Sequence, residues 1–591
     1  MCGIVALYDQ QQAPPGLAVE RALAAMAHRG PDGQGIWAPP DEPCALGHRR
    51  LAVIDLEGGG QPLRSGPYRL VANGEFYDYE RTLDWLGGRG HRPATGSDSE
   101  VALLLYRELG VECFRLLRGE FAFALWDGVA RRLLLVRDRF GIKPLFYAHQ
   151  QGRLWAASEI KGLFAAGWPC AWDPEGVQQS LHQCLHQDRT LFRGVRQLPA
   201  GHYLLADRQG VRIVRYWDQD YPRPRTISQA QALEEISRPW HEAVRLRTRA
   251  DVPLACYLSG GVDSSAVLSL AQHYSNRPLH AFTLAFDHQD YDESSLALSQ
   301  CRHTGAIFHP VRASADDLSH SFEATVVAAE APVYNGHAPA RWLLSRAVRE
   351  AGFKVVLGGE GADELFAGYR FAGQSGISSG WWALLRRLAG PVPRELKQIS
   401  PTLALLLKAL PLPPSMLDYL LEQIGSLRSV SKLSGGDPYR GFLSQILSPR
   451  LLGREPLKVL LYVWMKSLFV NYVLAAERLD MAHGVELRLP FLDHVLFDSV
   501  KGLSSSVLGP NKQLLRQLAG VGLSPQVLGT PKRPFVGPPL GQRLRPWLQA
   551  PELDQIPFLR AEQVRALGPV SDGLLFYLAS LVVLQRHYRP S

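Results

Sequence analysis

The chain has little of what would mark it as secreted, membrane-embedded or fibrous. Its seven cysteines (Cys2, Cys44, Cys113, Cys170, Cys184, Cys256 and Cys301) are scattered and odd in number, and none forms a Cys-x-x-Cys pair. That argues against a disulfide framework or a zinc site and predicts a reducing compartment, the cytoplasm. No run of Lys or Arg forms a tail, and a net charge of +8 is a modest excess for 591 residues. Nucleic-acid binding is therefore not indicated. The start lacks a basic leader and passes quickly to polar Asp9-Gln10-Gln11-Gln12, so no signal peptide is expected. The longest apolar stretch, 459–476, is interrupted by Lys466 and Asn471; it is expected as a buried helix, with no membrane span. There is no internal repeat. What is present, 46% hydrophobic and 20% charged residues, predicts a globular protein of more than one domain.

Short strands and turns dominate the first 215 or so residues, for example 68–72 before Asn73-Gly74 and 132–137. A polar, proline-containing link, Asp218-Gln219-Asp220-Tyr221-Pro222-Arg223-Pro224-Arg225, separates them from a helical pattern over 230–247. Candidate domains are therefore 2–215 and 226–591. In the second, strand patterns at 253–258, 279–286 and 354–357 alternate with helices, which predicts a parallel α/β sheet. The pattern from about 380 to 477 is almost wholly helical, and 371–458 carries no recognisable motif.

The opening Met1-Cys2-Gly3 places a thiol beside the chain's own α-amino group once Met1 is removed. An α-amine titrates near neutrality, at about 7.7–8.0, and can serve an adjacent nucleophile as a base. Alone, Cys2 would read as a buried structural thiol. Three further groups change that reading. Arg50, expected at the start of a strand, offers a fork donor for an amino-acid α-carboxylate. Asp98, beside a helix start in Thr95-Gly96-Ser97-Asp98, offers a carboxylate for an α-ammonium. Asn73 and Gly74, read as a turn, offer an amide and a backbone N–H to a tetrahedral oxyanion. Singly these are a surface arginine, a helix cap and a hairpin turn; in order behind Cys2 they describe a glutamine hydrolase.

The second constellation is an apolar strand, Leu254-Ala255-Cys256-Tyr257-Leu258, entering Ser259-Gly260-Gly261-Val262-Asp263-Ser264-Ser265 and then a helix. Glycines and helix N-terminal N–H groups suit phosphate, Ser264 and Ser265 add hydroxyls, and Asp263 suits Mg²⁺. A Walker A lysine is absent. A second strand leads to Gly358-Gly359-Glu360-Gly361-Ala362-Asp363-Glu364. There Asp363 could share the Mg²⁺ and Glu360 could take a proton from ammonia.

Residues 1 to about 215 resemble the class II glutamine amidotransferase domain, with supporting runs Arg137-Asp138-Arg139-Phe140-Gly141 and Ala157-Ser158-Glu159-Ile160-Lys161. The Ser259–Ser265 loop resembles the PP-loop of ATP pyrophosphatases. Together, and with Glu477-Arg478-Leu479-Asp480, Gly484-Val485-Glu486-Leu487-Arg488-Leu489-Pro490-Phe491, Lys512-Gln513-Leu514-Leu515-Arg516 and Pro531-Lys532-Arg533, the chain resembles the glutamine-hydrolysing asparagine synthetase family. The resemblance implies an α/β protein: an N-terminal-nucleophile αββα glutaminase sandwich, then a parallel-sheet ATP domain with a large helical part. It implies that Cys2 forms a γ-glutamyl thioester, that Glu75 joins the glutamine site, and that Leu258, Leu284, Gly358 and Gly359 border the nucleotide. Lys532 would stabilise phosphate charge, and the protein would form a homodimer. The implied reaction is ATP- and Mg²⁺-dependent amidation of a carboxylate, aspartate first among them. Departures are Gly358, where serine is usual, and Arg533-Pro534 after the lysine. A same-family ligase for a larger acid is the main alternative; a β-lactam-forming cyclase or a non-catalytic scaffold fits Cys2 and the carboxylates poorly.

Overall fold

Strict alternation of side chains builds the N-terminal half. In the strand Gly3–Asp9, Ile4, Ala6 and Tyr8 face one way and Val5 and Leu7 the other, and both sets are buried. A strand covered on both faces belongs between two layers. The computed structural model, which describes residues 1–181, 185–288, 290–368, 454–531 and 537–591, supplies them. Gly3–Asp9 lies in a six-stranded antiparallel sheet, in the order Val195–Gln197, Phe146–Gln150, Arg153–Ala157, Gly3–Asp9, Cys44–Arg50, Gly33–Trp37. A second antiparallel sheet runs Gly210–Arg215, His202–Asp207, Arg132–Arg137, Gly119–Asp127, Tyr68–Phe76, Leu63–Ser65. Ile4, Ala6 and Tyr8 meet Val71, Ala124, Trp126 and Leu135 between the sheets. Helices Gly16–Ala25 and Ile160–Ala166 cover the outside of the first sheet, and Glu100–Leu109 covers the second. This is the expected αββα sandwich.

Two local expectations are corrected. Asn73 and Gly74 are not a turn; they sit inside the nine-residue strand Tyr68–Phe76, paired with Ala122 and Phe121. The Asn-Gly hairpin signal is local and is overridden by pairing along the whole of Gly119–Asp127. Gly74 keeps a trace of it, at φ +137°, where a Cβ would lie 2.0 Å from the Glu120 carbonyl oxygen. Arg50 ends the strand Cys44–Arg50 and does not open one, because residues 44–50 are the ones paired, with Gly3–Asp9 on one side and Gly33–Trp37 on the other.

A capping box formed by Ser228 and Gln231 starts the helix Gln229–Arg247. The five-stranded sheet that follows is parallel, in the order Ile307–Ala313, His280–Phe286, Leu254–Tyr257, Val355–Leu357, Glu486–Arg488. The chain builds outward from Leu254–Tyr257 on one side, then returns to add Val355–Leu357 on the other. Leu254–Tyr257 is thus a topological switch point, where α/β sheets open a ligand crevice. The apolar stretch expected as a buried helix lies in a helical rod, Leu457–Met481, long and apolar enough to cross a membrane by length and composition, yet 61% of its most apolar window is buried inside the protein. Lys532, and the motif-free stretch up to 453, lie outside the described residues.

Buried ions join the halves. Arg118 pairs with Asp493 (2.9 Å), Arg247 with Glu120 (2.6 Å) and Asp493 (3.0 Å), and Arg29 bridges Glu159 and Glu477.

Candidate functional site

At the N-terminal site, Cys2 precedes a central strand, so its backbone is held on both sides. The Cys2 N–H donates to Asn73 Oδ1 (2.9 Å), and Arg29 Nε donates to the Cys2 carbonyl (3.0 Å). Asn73 is fully buried, and with its oxygen engaged its Nδ2 has no hydrogen-bond partner among the described residues. An orphaned buried donor costs about 1–3 kcal/mol. Such an N–H can donate to an anionic oxygen placed beside Cys2. Burial pushes the Cys2 thiol up, and the nearby N-terminal ammonium partly offsets this.

Of the groups expected to bind glutamine, Glu75 lies within electrostatic reach of Cys2. Asp98 accepts from the Phe76 N–H (2.7 Å), and its carboxyl is pushed up to about 6, chiefly by burial. Burial and the Glu486 charge also raise Glu75 well above the usual carboxylate range. Arg50 is oriented by backbone carbonyls, Leu56 at 3.0 Å and Asp55, and by no carboxylate among the described residues, so its charge could serve a ligand.

Two residues of this site come from the other half and were given no role by sequence reasoning. The Met1 ammonium is buried against Glu486 (2.5 Å), and Arg488 links Glu486 (2.6 Å) to Glu75 (3.3 Å). Burial alone would raise the Glu486 carboxyl, but the ammonium and Arg488 outweigh it and bring it down to about 2. The available signal was the spacing: Glu486 and Arg488 are two apart on a strand, hence on one face. Their strand also reaches the loop that leads into the second site, for the Gly358 N–H donates to the Arg488 carbonyl (3.0 Å).

The second site is a cavity of about 900 Å³ at the switch point, within the range of small-molecule pockets. Leu258, Ser259, Gly260, Gly261, Asp263, Ser264, Leu284, Gly359, Glu360 and Asp363 all line it. The loop is closed on itself: the Ser259 N–H donates to Ser264 Oγ (3.1 Å) and the Gly261 N–H to Ser259 Oγ (3.3 Å). Helix Val262–His273 then starts at Gly261 with no side-chain cap, so its first N–H groups face the cavity for an anion. Ser265 and Gly358 do not line it. Ser265 is wholly buried on the helix's inner face. Gly358 is hemmed in: a Cβ there would lie 2.3 Å from Glu360 Oε2.

Lys512 Nζ contacts both Asp263 and Asp363, the latter at 2.6 Å. Burial would lower its pKa, but the two carboxylates outweigh that and raise it, so it sits charged where a cation belongs. Two carboxylates meeting on one atom are near enough to share one Mg²⁺, and hard oxygens are its preferred donors; the residues fit the ion. Glu360 is held by Arg341, whose other edge takes Asp480 through Nη2 (2.7 Å) and Nε (3.2 Å). Sequence reasoning missed Arg341, a lone arginine inside the helix His337–Glu350 with no local motif to mark it.

Comparison with known proteins matches residues 1–217 to the glutamine amidotransferase domain family and residues 237–573 to the asparagine synthase family. The chain is 32% identical to a putative glutamine-hydrolysing asparagine synthetase of Mycobacterium tuberculosis H37Rv, over 94% of this chain and 89% of that one. It is 29% identical to asparagine synthetase 1 of Bacillus subtilis 168, over 93% and 88%. It is 30% identical to a protein of Gibberella zeae named amidase chry2, over 88% and 85%.

Proposed function

The chain belongs to the glutamine-hydrolysing asparagine synthetase family, and on that premise we propose that its two sites run one reaction, the ATP-dependent amidation of a carboxylic acid with nitrogen from glutamine. With Met1 removed, the Cys2 amine takes the thiol proton and the sulfur attacks the glutamine side-chain carbonyl. Asn73 Nδ2 and the Gly74 N–H receive the oxyanion. Arg50 and Asp98 hold the substrate's α-carboxylate and α-ammonium, with Glu75 beside them. The Cys2 ammonium returns its proton to the amide nitrogen as the C–N bond breaks, ammonia leaves, and water cleaves the thioester to glutamate and the free thiol.

At the second site the acceptor carboxylate attacks the α-phosphorus of ATP, the bond to the β-phosphate breaks, and pyrophosphate leaves an acyl-adenylate. The Ser259–Ser264 loop and the helix N-terminus hold the phosphates, while Leu258, Leu284 and Gly359 border the nucleotide. Asp263 and Asp363 would hold Mg²⁺, which when bound neutralises phosphate charge, and Lys532 would act on the same phosphates. Ammonia attacks the acyl carbon, Glu360 accepts its surplus proton, and AMP departs. The proposal is of a cytoplasmic homodimer whose partners are glutamine, ATP and an acid, without nucleic acid or membrane.

The observation that carries this reading is the convergence of Asp263, Asp363 and Glu360 at the ends of two adjacent parallel strands, in a chain that also holds Cys2 on Asn73. Aspartate, giving asparagine, is the first acceptor by family. The second reading, a larger acid, is favoured by the makeup of the 900 Å³ cavity. Cys2→Ala tests the coupling. It should abolish amide formation from glutamine and leave formation from ammonium chloride intact; survival of the glutamine reaction would remove Cys2 from its role.

A further inference from the structure

The acceptor carboxyl must lie between the ATP loop and Glu360, and the wall there is aromatic. Tyr334, His337, Trp464, Phe469 and Tyr472 line the same cavity as Glu360. The His337 and Tyr472 rings are 5.6 Å apart, with the tyrosine hydroxyl 3.4 Å from His337 Nε2, and both rings lie within electrostatic reach of Glu360. Tyr472 keeps 40% of its surface open although its helix, Val470–Met481, is otherwise largely buried. The wall is built by a π-helical turn, Met465–Phe469, set inside the long helix. A π-turn adds a residue to the turn, so Trp464 and Phe469, five apart, both reach the cavity.

Among the described residues, four of the cations lining the cavity are paired with protein carboxylates, and a fifth, Arg516, held by backbone carbonyls, lies within electrostatic reach of Asp263 at the phosphate end. Arg341 holds Glu360 and Asp480, Arg478 holds Glu330 (3.4 Å), and Arg189 holds Asp173 (3.2 Å) and Glu175 (2.8 Å). Lys512 holds Asp263 and Asp363, and Arg516 donates to the carbonyls of Asn511, Leu528 and Thr530. Burial brings His337 down to about 4, so it is neutral at pH 7. Aspartate would bring a second carboxylate and an ammonium besides the group that reacts. A carboxylate in such a site calls for an uncommitted fork donor, and burying it unpaired is costly. Flat aromatic bodies, by contrast, stack well on tyrosine and tryptophan.

We propose that the acceptor is a monocarboxylic acid carried on a flat aromatic or unsaturated body, packed against Tyr472 and Trp464 with its carboxyl toward Glu360, and that aspartate is a poor substrate. This rests on the ligase reading above. The test supplies the full chain with MgATP and ammonium chloride, so that the glutaminase is not needed. It compares aspartate with benzoate, cinnamate and indole-3-carboxylate by pyrophosphate release and by mass spectrometry of the amide. The expected result is a kcat/KM for the best aryl acid at least 100-fold above that for aspartate. Aspartate equal or better overturns the inference and leaves the ligase reading standing; silence with both groups counts against the ligase reading itself and takes the inference with it. Tyr472→Ala should raise the KM for the aryl acid tenfold or more while moving the KM for ATP less than twofold. An unchanged acceptor KM would overturn the assignment of the wall.

Discussion

Asn73 gives its carbonyl oxygen to the Cys2 N–H and, among the described residues, keeps its amide nitrogen unpartnered, so in the proposed reaction one residue would set both the nucleophile's position and its oxyanion donor. Asn73→Ala should lower glutamine turnover by about 10²–10³ with acceptor-dependent pyrophosphate release unchanged in ammonia; a loss of both would make Asn73 structural. Asp98 makes a pH prediction. Its carboxyl titrates at about 6 in the free site, and only the ionised form binds an ammonium. The KM for glutamine should therefore rise as pH falls through 6, while the KM for ammonia-supported synthesis, corrected for free NH₃, should not follow it. The choice of these candidates came from sequence, since carboxylate, amide and fork donor each match one substrate group. Their settings did not. The Asn-Gly pair looked like a turn because its signal is local, whereas the strand that contains it is fixed by a partner some fifty residues away.

Elements carry the connection between the sites. Glu486–Arg488 places two side chains in the glutaminase site and accepts the Gly358 N–H of the ATP loop through its backbone. Nothing in residues 486–488 alone announces this, because it needs the parallel pairing with Val355–Leu357 that topology supplies. The same holds for the ionic seam. Asp493 is buried between Arg118 and Arg247, and those partners hold its carboxyl far below the usual range despite burial. Removing one partner of a buried pair costs about 3–5 kcal/mol. Asp493→Ala should lower stability by about that much in urea unfolding of the full chain, and an effect below about 1 kcal/mol would show that the seam is not load-sharing. Helix and strand periods, by contrast, were readable: the strand Arg132–Arg137 falls where its pattern predicts, and the helix Gln229–Arg247 begins one residue before its predicted start.

For the whole molecule, one buried histidine, His48, and three half-buried ones, His337, His483 and His494, contribute to the response to acid. Burial holds His48 and His494 near 3 and His337 and His483 near 4. These residues are neutral in the fold, while the unfolded chain binds their protons below about 6.5. Their stability contribution is therefore complete above pH 6.5 and is lost as pH falls toward 4. Asp98 and Asp480, both raised to about 6 by burial, and Glu75, which burial raises well above its usual range, act in the opposite sense and offset part of this. The melting temperature should drop between pH 7 and pH 5, as followed by calorimetry; a rise would mean that the carboxylates dominate. Two motif sets and a proline-containing link between them were readable in the sequence, but the way the halves share residues was not, because shared burial is a property of the assembled fold. The central claim is that nitrogen released at Cys2 reaches an adenylated acid in this same chain. Its most direct measurement is transfer of ¹⁵N from amide-labelled glutamine, in the presence of MgATP, the best acceptor and excess unlabelled ammonium. The account predicts a labelled amide formed with one AMP per product and enriched well beyond dilution by the bulk ammonium. A product carrying only the bulk isotope ratio, or glutamate release with no AMP under any acceptor, would contradict it.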